Sequence, residues 1–412
     1  MRKFLLLVLL AALVIVPVMA QEEGEPPRTG IRPDAPPYAL HGPYWVGTME
    51  FVIDADGERP LPLTVWYPAL NEEGLEGDVV YDMGIADLTN EEVSRIQGNA
   101  LANGVPDMAA APYPLVLLSH GLGGPRFAAY LLAEHLVSHG FVVMSAEHIG
   151  TAVRDGMQGL ADVGGENSIL SVYYRPLDIM NVITFADTLT AEDSGPLAGL
   201  IDTERIGIYG HSTGGTTVLQ AGGAGLDFAA LETWCADKAD DHFAIESCQF
   251  LGHESEIAEL FGVDPEASAV PPMWDNRVDA LVAAAPGGEL HVFGDDGVAA
   301  IEIPVMFLQG TADPFVLPAY NSDWAYDFAQ SETKSLVHFE NGGHMIFMNC
   351  PPSFMGVCGY DAVWDMDRAY DLVNHFTTAF LLAELYGDEE ARAALAPDAV
   401  AFPGIGYEAV GY

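Results

Sequence analysis

The stretch Gly210-His211-Ser212-Thr213-Gly214, with Gly215 behind it, joins a serine to closely spaced glycines. Such a turn is so tight that the serine's neighbours can carry almost no side chain. It raises the hydroxyl for attack and aims the next backbone N–H, that of Thr213, at a carbonyl oxygen becoming negative. A serine hydroxyl needs a base to remove its proton. Among the twelve histidines, His344 is the expected base. It lies in Asn341-Gly342-Gly343-His344, just after an apolar run at 336–339 and late in the chain. His120, His148 and His211 come too early for that role, and His338 falls inside the run. Asp313, in Gln309-Gly310-Thr311-Ala312-Asp313-Pro314, is the expected acid, holding the imidazole in the correct tautomer. Asp275 and Asp279 compete for that part. The glycine-rich loop His120-Gly121-Leu122-Gly123-Gly124 lets backbone approach a substrate. Its Leu122 N–H is the expected second oxyanion donor, beside that of Thr213. His120, Gly121 and His211 are expected to line the substrate site.

These residues need a scaffold that brings their loops together. Apolar runs at 44–53 and 61–67, around an Asp56-Gly57 turn, predict two strands. Further strands are predicted at 115–119, 141–146, 205–209, 278–285, 303–308 and 336–339. Helical spacing predicts helices at 127–138, 175–188, 213–220, 317–329 and 361–385. This alternation predicts an α/β fold: a mostly parallel sheet with helices on both faces. One long acidic interruption, 225–277, contains Trp234, Phe243, Phe250, Phe261 and Trp274. It follows the helix that leaves Ser212. It is expected to form a cap, with Trp234 and Trp274 walling a substrate pocket.

The organisation expected is a leader peptide at 1–20, a flexible segment at 21–42 and a core in two parts, 43–224 and 278–390. The insertion 225–277 separates the two parts, and a tail at 391–412 drapes over the domain. The leader reads as a secretory signal: basic Arg2-Lys3, an apolar run at 4–16, and small residues before a cut near Ala20. Export and an even cysteine count suggest two disulfides. Local pairing, Cys235–Cys248 and Cys350–Cys358, is expected.

Composition excludes other classes. There are 15 Lys+Arg against 60 Asp+Glu, a formal charge of −45, so binding to nucleic acid through a basic face is excluded. No later apolar stretch is long enough to insert stably in a membrane. Asp54-Ala55-Asp56-Gly57 lacks the remaining ligands of a calcium loop and reads as a hairpin turn. The cysteine spacings do not fit a zinc site. No phosphate-binding loop is present, so neither a metal nor an organic cofactor is expected.

With these motifs in place, the sequence resembles the α/β-hydrolase superfamily. More narrowly it is similar to secreted platelet-activating-factor acetylhydrolases and bacterial dienelactone-hydrolase-like serine esterases. Leu63-Thr64-Val65-Trp66-Tyr67-Pro68, the segment 114–123, Ser138-His139-Gly140-Phe141-Val142-Val143 and Gly210-His211-Ser212 carry the match. The resemblance implies ester hydrolysis through Ser212, His344 and Asp313, on a small-molecule, lipid or polymer ester. Two features differ from those relatives. Ser212 stands where dienelactone hydrolases use cysteine. The strand after the Ser212 unit ends Ala283-Ala284-Ala285-Pro286, without the acid that vertebrate acetylhydrolases place there. Asp313, one strand later, is similar to the acid of microbial esterases and polyester hydrolases. A peptidase and an inactive hydrolase-like binding protein are the remaining alternatives.

Overall fold

A computed structural model describes residues 26–238, 241–349 and 359–412. Ten strands form one sheet: β1 Trp45–Ile53, β2 Leu61–Ala69, β3 Leu101–Ala102, β4 Tyr113–Ser119 and β5 Val142–Ala146, followed by β6 Ile201–His211, β7 Val278–Ala284, β8 Val305–Gly310, β9 Lys334–Phe339 and β10 Ile405–Val410. Their spatial order is β10-β9-β8-β7-β6-β4-β5-β2-β1-β3. The six strands from β9 to β5 run parallel. β10 and β2 flank them antiparallel, and β1 pairs antiparallel with β2.

Strand alternation explains how one sheet serves two cores. Along β4, Tyr113, Leu115 and Leu117 face one cluster, while Val116 and Leu118 face the other. β8 divides likewise, Val305 and Phe307 against Met306 and Leu308. Helices α2 (Glu166–Ala191), α3 (Thr213–Ala221) and α6 (Ser322–Phe328) cover the first face. Helices α1 (Tyr130–Ser138) and α7 (Met366–Leu381) cover the second. Both faces being buried, the central strands are apolar throughout rather than alternating with polar residues.

Several expectations need correction. Helix α2 begins at Glu166, not near 175, and continues through Pro176. Proline has no N–H to give the carbonyl one turn back. That carbonyl, of Val172, accepts instead from Gln220 Nε2 of α3 at 2.6 Å. The tail does not merely drape. It forms β10, hydrogen-bonded along β9 from Lys334↔Val410 to Phe339↔Ile405. The expected flexible segment is docked from residue 26 onward. The backbone N–H groups of Ile31 and Arg32 donate to the Asp371 carboxylate, and that of Tyr38 to His375 Nδ1, both acceptors on α7. The expected leader peptide and the pair Cys350–Cys358 lie outside the described residues.

The insertion is closed at its base by Leu226–Asp227 pairing with Ala269–Val270. Helix α4 (Phe228–Asp237) is tied to the short helix Ile245–Cys248 by the Cys235–Cys248 disulfide. Helix α5 (Glu254–Leu260) follows. Leu231, Phe250 and Ile257 join the core on the α2–α3 side of the sheet. Most of the insertion's apolar side chains are thus part of the main core.

Candidate active site

The site collects at the carboxyl ends of the parallel strands, where loops after β4, β6, β7, β8 and β9 converge. Ser212 sits between β6 and α3 with φ 56° and ψ −128°, a strained conformation for any residue with a Cβ. The turn cannot relax around larger neighbours. A Cβ on Gly210 would lie 2.1 Å from the Gly214 carbonyl oxygen, and one on Gly214 would lie 2.0 Å from that of Ser119. These contacts give the glycine spacing its physical cause.

His344 Nδ1 donates to Asp313 Oδ2 at 2.6 Å, and both residues are buried. The other carboxylate oxygen of Asp313 accepts the N–H groups of Phe315 (2.8 Å) and Val316 (3.0 Å). The acid is thereby fixed on its loop, and it fixes the tautomer that leaves His344 Nε2 free to accept a proton. Phe315 meets the His344 ring edge-on, with centroids 5.2 Å apart. His211 Nε2 donates to the His344 carbonyl at 2.9 Å. Burial, and then the neighbouring His344, push the His211 pKa down to about 3, so it stays neutral while it braces that loop.

A cavity of about 270 Å³ opens on Ser212 and His344. Its walls are Gly121 to Pro125, Ala128 and Val153, with Met83, Met345 and Met348. Thioether side chains adapt to irregular apolar groups. Among the described residues, the N–H groups of Leu122 and Thr213 donate no hydrogen bond within the protein, so both are available to an oxyanion.

The structure therefore brings Ser212, His344, Asp313, Gly121, Leu122, Thr213 and His211 together. It does not place three expected residues on the cavity. Trp234 stacks on His291, with centroids 3.8 Å apart and planes at 15°. Trp274 is half exposed and is not part of the cavity wall. The apolar character of the insertion was legible, but the direction its rings face was not. His120 is buried with both ring nitrogens used internally. Nδ1 donates to the Gly121 carbonyl, and Nε2 accepts the His148 N–H. It shapes the loop and is not part of the cavity wall.

Sequence reasoning missed the methionine wall and two buried carboxyl groups. Glu289 lies after β7 and Glu246 on the insertion, where its Oε2 accepts the Gly288 N–H at 2.9 Å. Burial raises the pKa of both, and the charge of Glu289 raises that of Glu246 further. No motif announces these residues, because tertiary packing alone brings them to Ser212. Among the described residues, no group of three or more His, Cys, Asp or Glu side chains is arranged to hold a metal ion.

Comparison with known proteins agrees with this architecture. A ferulic acid esterase from Streptomyces cinnamoneus superposes with a TM-score of 0.57 over 88% of this chain and 95% of that one, at 21% identity. The chain has the α/β-hydrolase fold. Within that fold, residues 36–155 match the family model of platelet-activating factor acetylhydrolase, isoform II. The dog platelet-activating factor acetylhydrolase is 30% identical over 145 residues, 26% of this chain and 32% of that protein. The guinea pig protein is 23% identical over 298 residues, 62% of this chain and 66% of its own length. The chain thus spans 32% to 66% of the length of these relatives, which it resembles as a serine-esterase-like α/β-hydrolase. The matched segment contains the Gly121–Gly124 loop and ends before Ser212.

Proposed function

We propose that this protein is a secreted serine hydrolase that cleaves carboxylic esters. Ser212 attacks the ester carbonyl while His344 takes its proton. Asp313 holds the imidazole and stabilises the imidazolium, and the N–H groups of Leu122 and Thr213 receive the oxyanion. The alcohol leaves with the proton from His344, and water activated by the same imidazole releases the acyl group. The observation that carries this reading is the strained Ser212 turn sharing one cavity with a histidine already bonded to a buried aspartate.

The cavity volume and its methionine lining suit a short acyl group. A short-acyl phospholipid substrate is the second reading, favoured by the match over residues 36–155. The acidic sequence favours neutral or cationic substrates over anionic ones. The test is hydrolysis of p-nitrophenyl acetate, butyrate and decanoate, an acetylated phospholipid, an aromatic polyester film and a proline amide. Acetate and butyrate should be cleaved far faster than decanoate. Activity confined to the proline amide, or equal activity in Ser212→Ala, would remove the esterase reading.

A further inference from the structure

Resting on the esterase reading, we propose that Arg175 is the positioning residue of the oxyanion hole, holding the loop carbonyls so that the Leu122 N–H faces the substrate. Arg175 lies on α2, remote from Ser212 in sequence, and the residue is 1% exposed. Its donors are spent on one loop and that loop's neighbour. Nη1 donates to the His120 carbonyl at 2.7 Å, Nη2 reaches the Gly121 carbonyl at 3.5 Å, and Nε donates to Thr151 Oγ1 at 3.0 Å.

The consequence follows from peptide geometry. In a trans peptide the C=O and the N–H point in opposite directions. The Gly121 carbonyl and the Leu122 N–H belong to one peptide plane. Holding that carbonyl inward, towards the guanidinium, turns the Leu122 N–H outward, towards Ser212. His120 Nδ1 and the Gly124 N–H bond the same carbonyl at 2.8 and 3.0 Å. The Thr151 carbonyl accepts the Gly123 N–H at 2.8 Å, fixing the far side of the turn. Arg175 thus grips the loop directly and, through Thr151, from its flank.

A buried guanidinium is costly unless its charge is compensated. Burial pushes the Arg175 pKa down to about 10, with Glu289 and then Asp178 acting to raise it, so it stays charged at neutral pH. Glu289 follows β7 close behind the Ser212 turn, where the Gly287 N–H donates to the Ser212 carbonyl at 2.9 Å. The carboxyl groups of Glu289 and Asp178 thus compensate the buried guanidinium through space. A hydrophobic core residue at 175 would fill the space yet leave the His120 carbonyl without its donor.

The test uses the full chain and p-nitrophenyl acetate against its thiono analogue, whose C=S makes little use of an oxyanion hole. Arg175→Lys should lower kcat by about 10- to 100-fold, with KM within about threefold, against the 100- to 1000-fold lost when a whole donor is removed. The oxo/thiono rate ratio should fall with kcat. Loss of fold would lower both esters together and leave that ratio alone. Thr151→Val keeps the guanidinium and removes one of its acceptors. It should lower kcat about fivefold with the same drop in ratio, and it decides the matter if Arg175→Lys does not fold. An unchanged oxo/thiono ratio in the folded variants overturns the proposal. Wild type inactive on both esters would instead overturn the esterase reading on which it rests.

Discussion

Among the described residues there are two Ser–His–Asp arrays, one at the open cavity and one packed in the core behind it. At the surface cavity, Ser212 shares its space with His344, which donates to Asp313. In the core behind it, His148 Nε2 is bonded to Ser119 Oγ at 2.9 Å, and its Nδ1 to Asp178 Oδ2 at 3.0 Å. By residue type and distance the second array is the more complete. It is also sealed: Ser119, His148 and Asp178 are 2%, 0% and 1% exposed. Ser119 ends a regular strand, whereas Ser212 has a positive φ. Asp178 is bound to the Arg59 guanidinium at 2.9 Å. Burial, and then Arg175, hold the His148 pKa well below the usual imidazole range. On the function proposed above, what singles out Ser212 is therefore the strained turn, the cavity and the unspent N–H groups. The hydrogen-bonded trio is not sufficient.

Substitutions separate the two arrays. Ser212→Ala should lower kcat on p-nitrophenyl acetate by on the order of 10⁶, as loss of a triad nucleophile does. Ser119→Ala should leave kcat within about threefold and cost about 1–3 kcal/mol in a urea titration, because His148 loses a buried partner. If Ser119→Ala were the inactive variant, the comparison would be reversed. Asp313→Asn should cost about 10⁴ in kcat by releasing the wrong tautomer, with an unchanged thermal midpoint. Asp178→Asn should act on stability, by about 3–5 kcal/mol, because Arg59 and Arg175 lose a buried countercharge. Equal kinetic damage from both aspartate variants would mean that the buried array takes part in turnover.

Two smaller effects concern the surroundings of the open site. The double variant Cys235→Ser, Cys248→Ser should lose about 2–3 kcal/mol by loop entropy, read from denaturant midpoints. Burial, and then Glu289, raise the Glu246 carboxyl to about 7. A carboxyl raised in the folded state adds stability below its unfolded value and loses it as pH rises through the folded one. Glu246→Gln should therefore flatten the fall in stability from about pH 5 to about pH 8, by about 1–2 kcal/mol. Parallel pH profiles for wild type and variant would show that Glu246 ionises freely.

What was legible in the sequence was local or ordered along the chain. The strand, the glycine turn and the following helix around Ser212 are contiguous, and Asp313 and His344 each follow their own apolar strand. The central strands showed because burial on both faces makes them apolar without interruption. Strand β10 did not, because an edge strand with one partner and half-buried side chains carries a weak pattern. Helix α2 read as starting too late. Its passage through Pro176 depends on Gln220, and no local signal encodes a contact between residues 48 apart. Trp234 and Trp274 show the limit of composition, since aromatic content does not fix which core a ring enters. Arg175 stayed hidden for the same reason: its task depends on loops that only the folded sheet brings to it.

The most direct test of the account is to quench p-nitrophenyl acetate turnover with acid in the first moments of reaction and map the trapped acetyl group by mass spectrometry. The account predicts one acetyl group per chain, on the peptide containing Ser212, and none on the peptide containing Ser119. An acetyl group on Ser119, or turnover with no acyl-enzyme on Ser212, would contradict it.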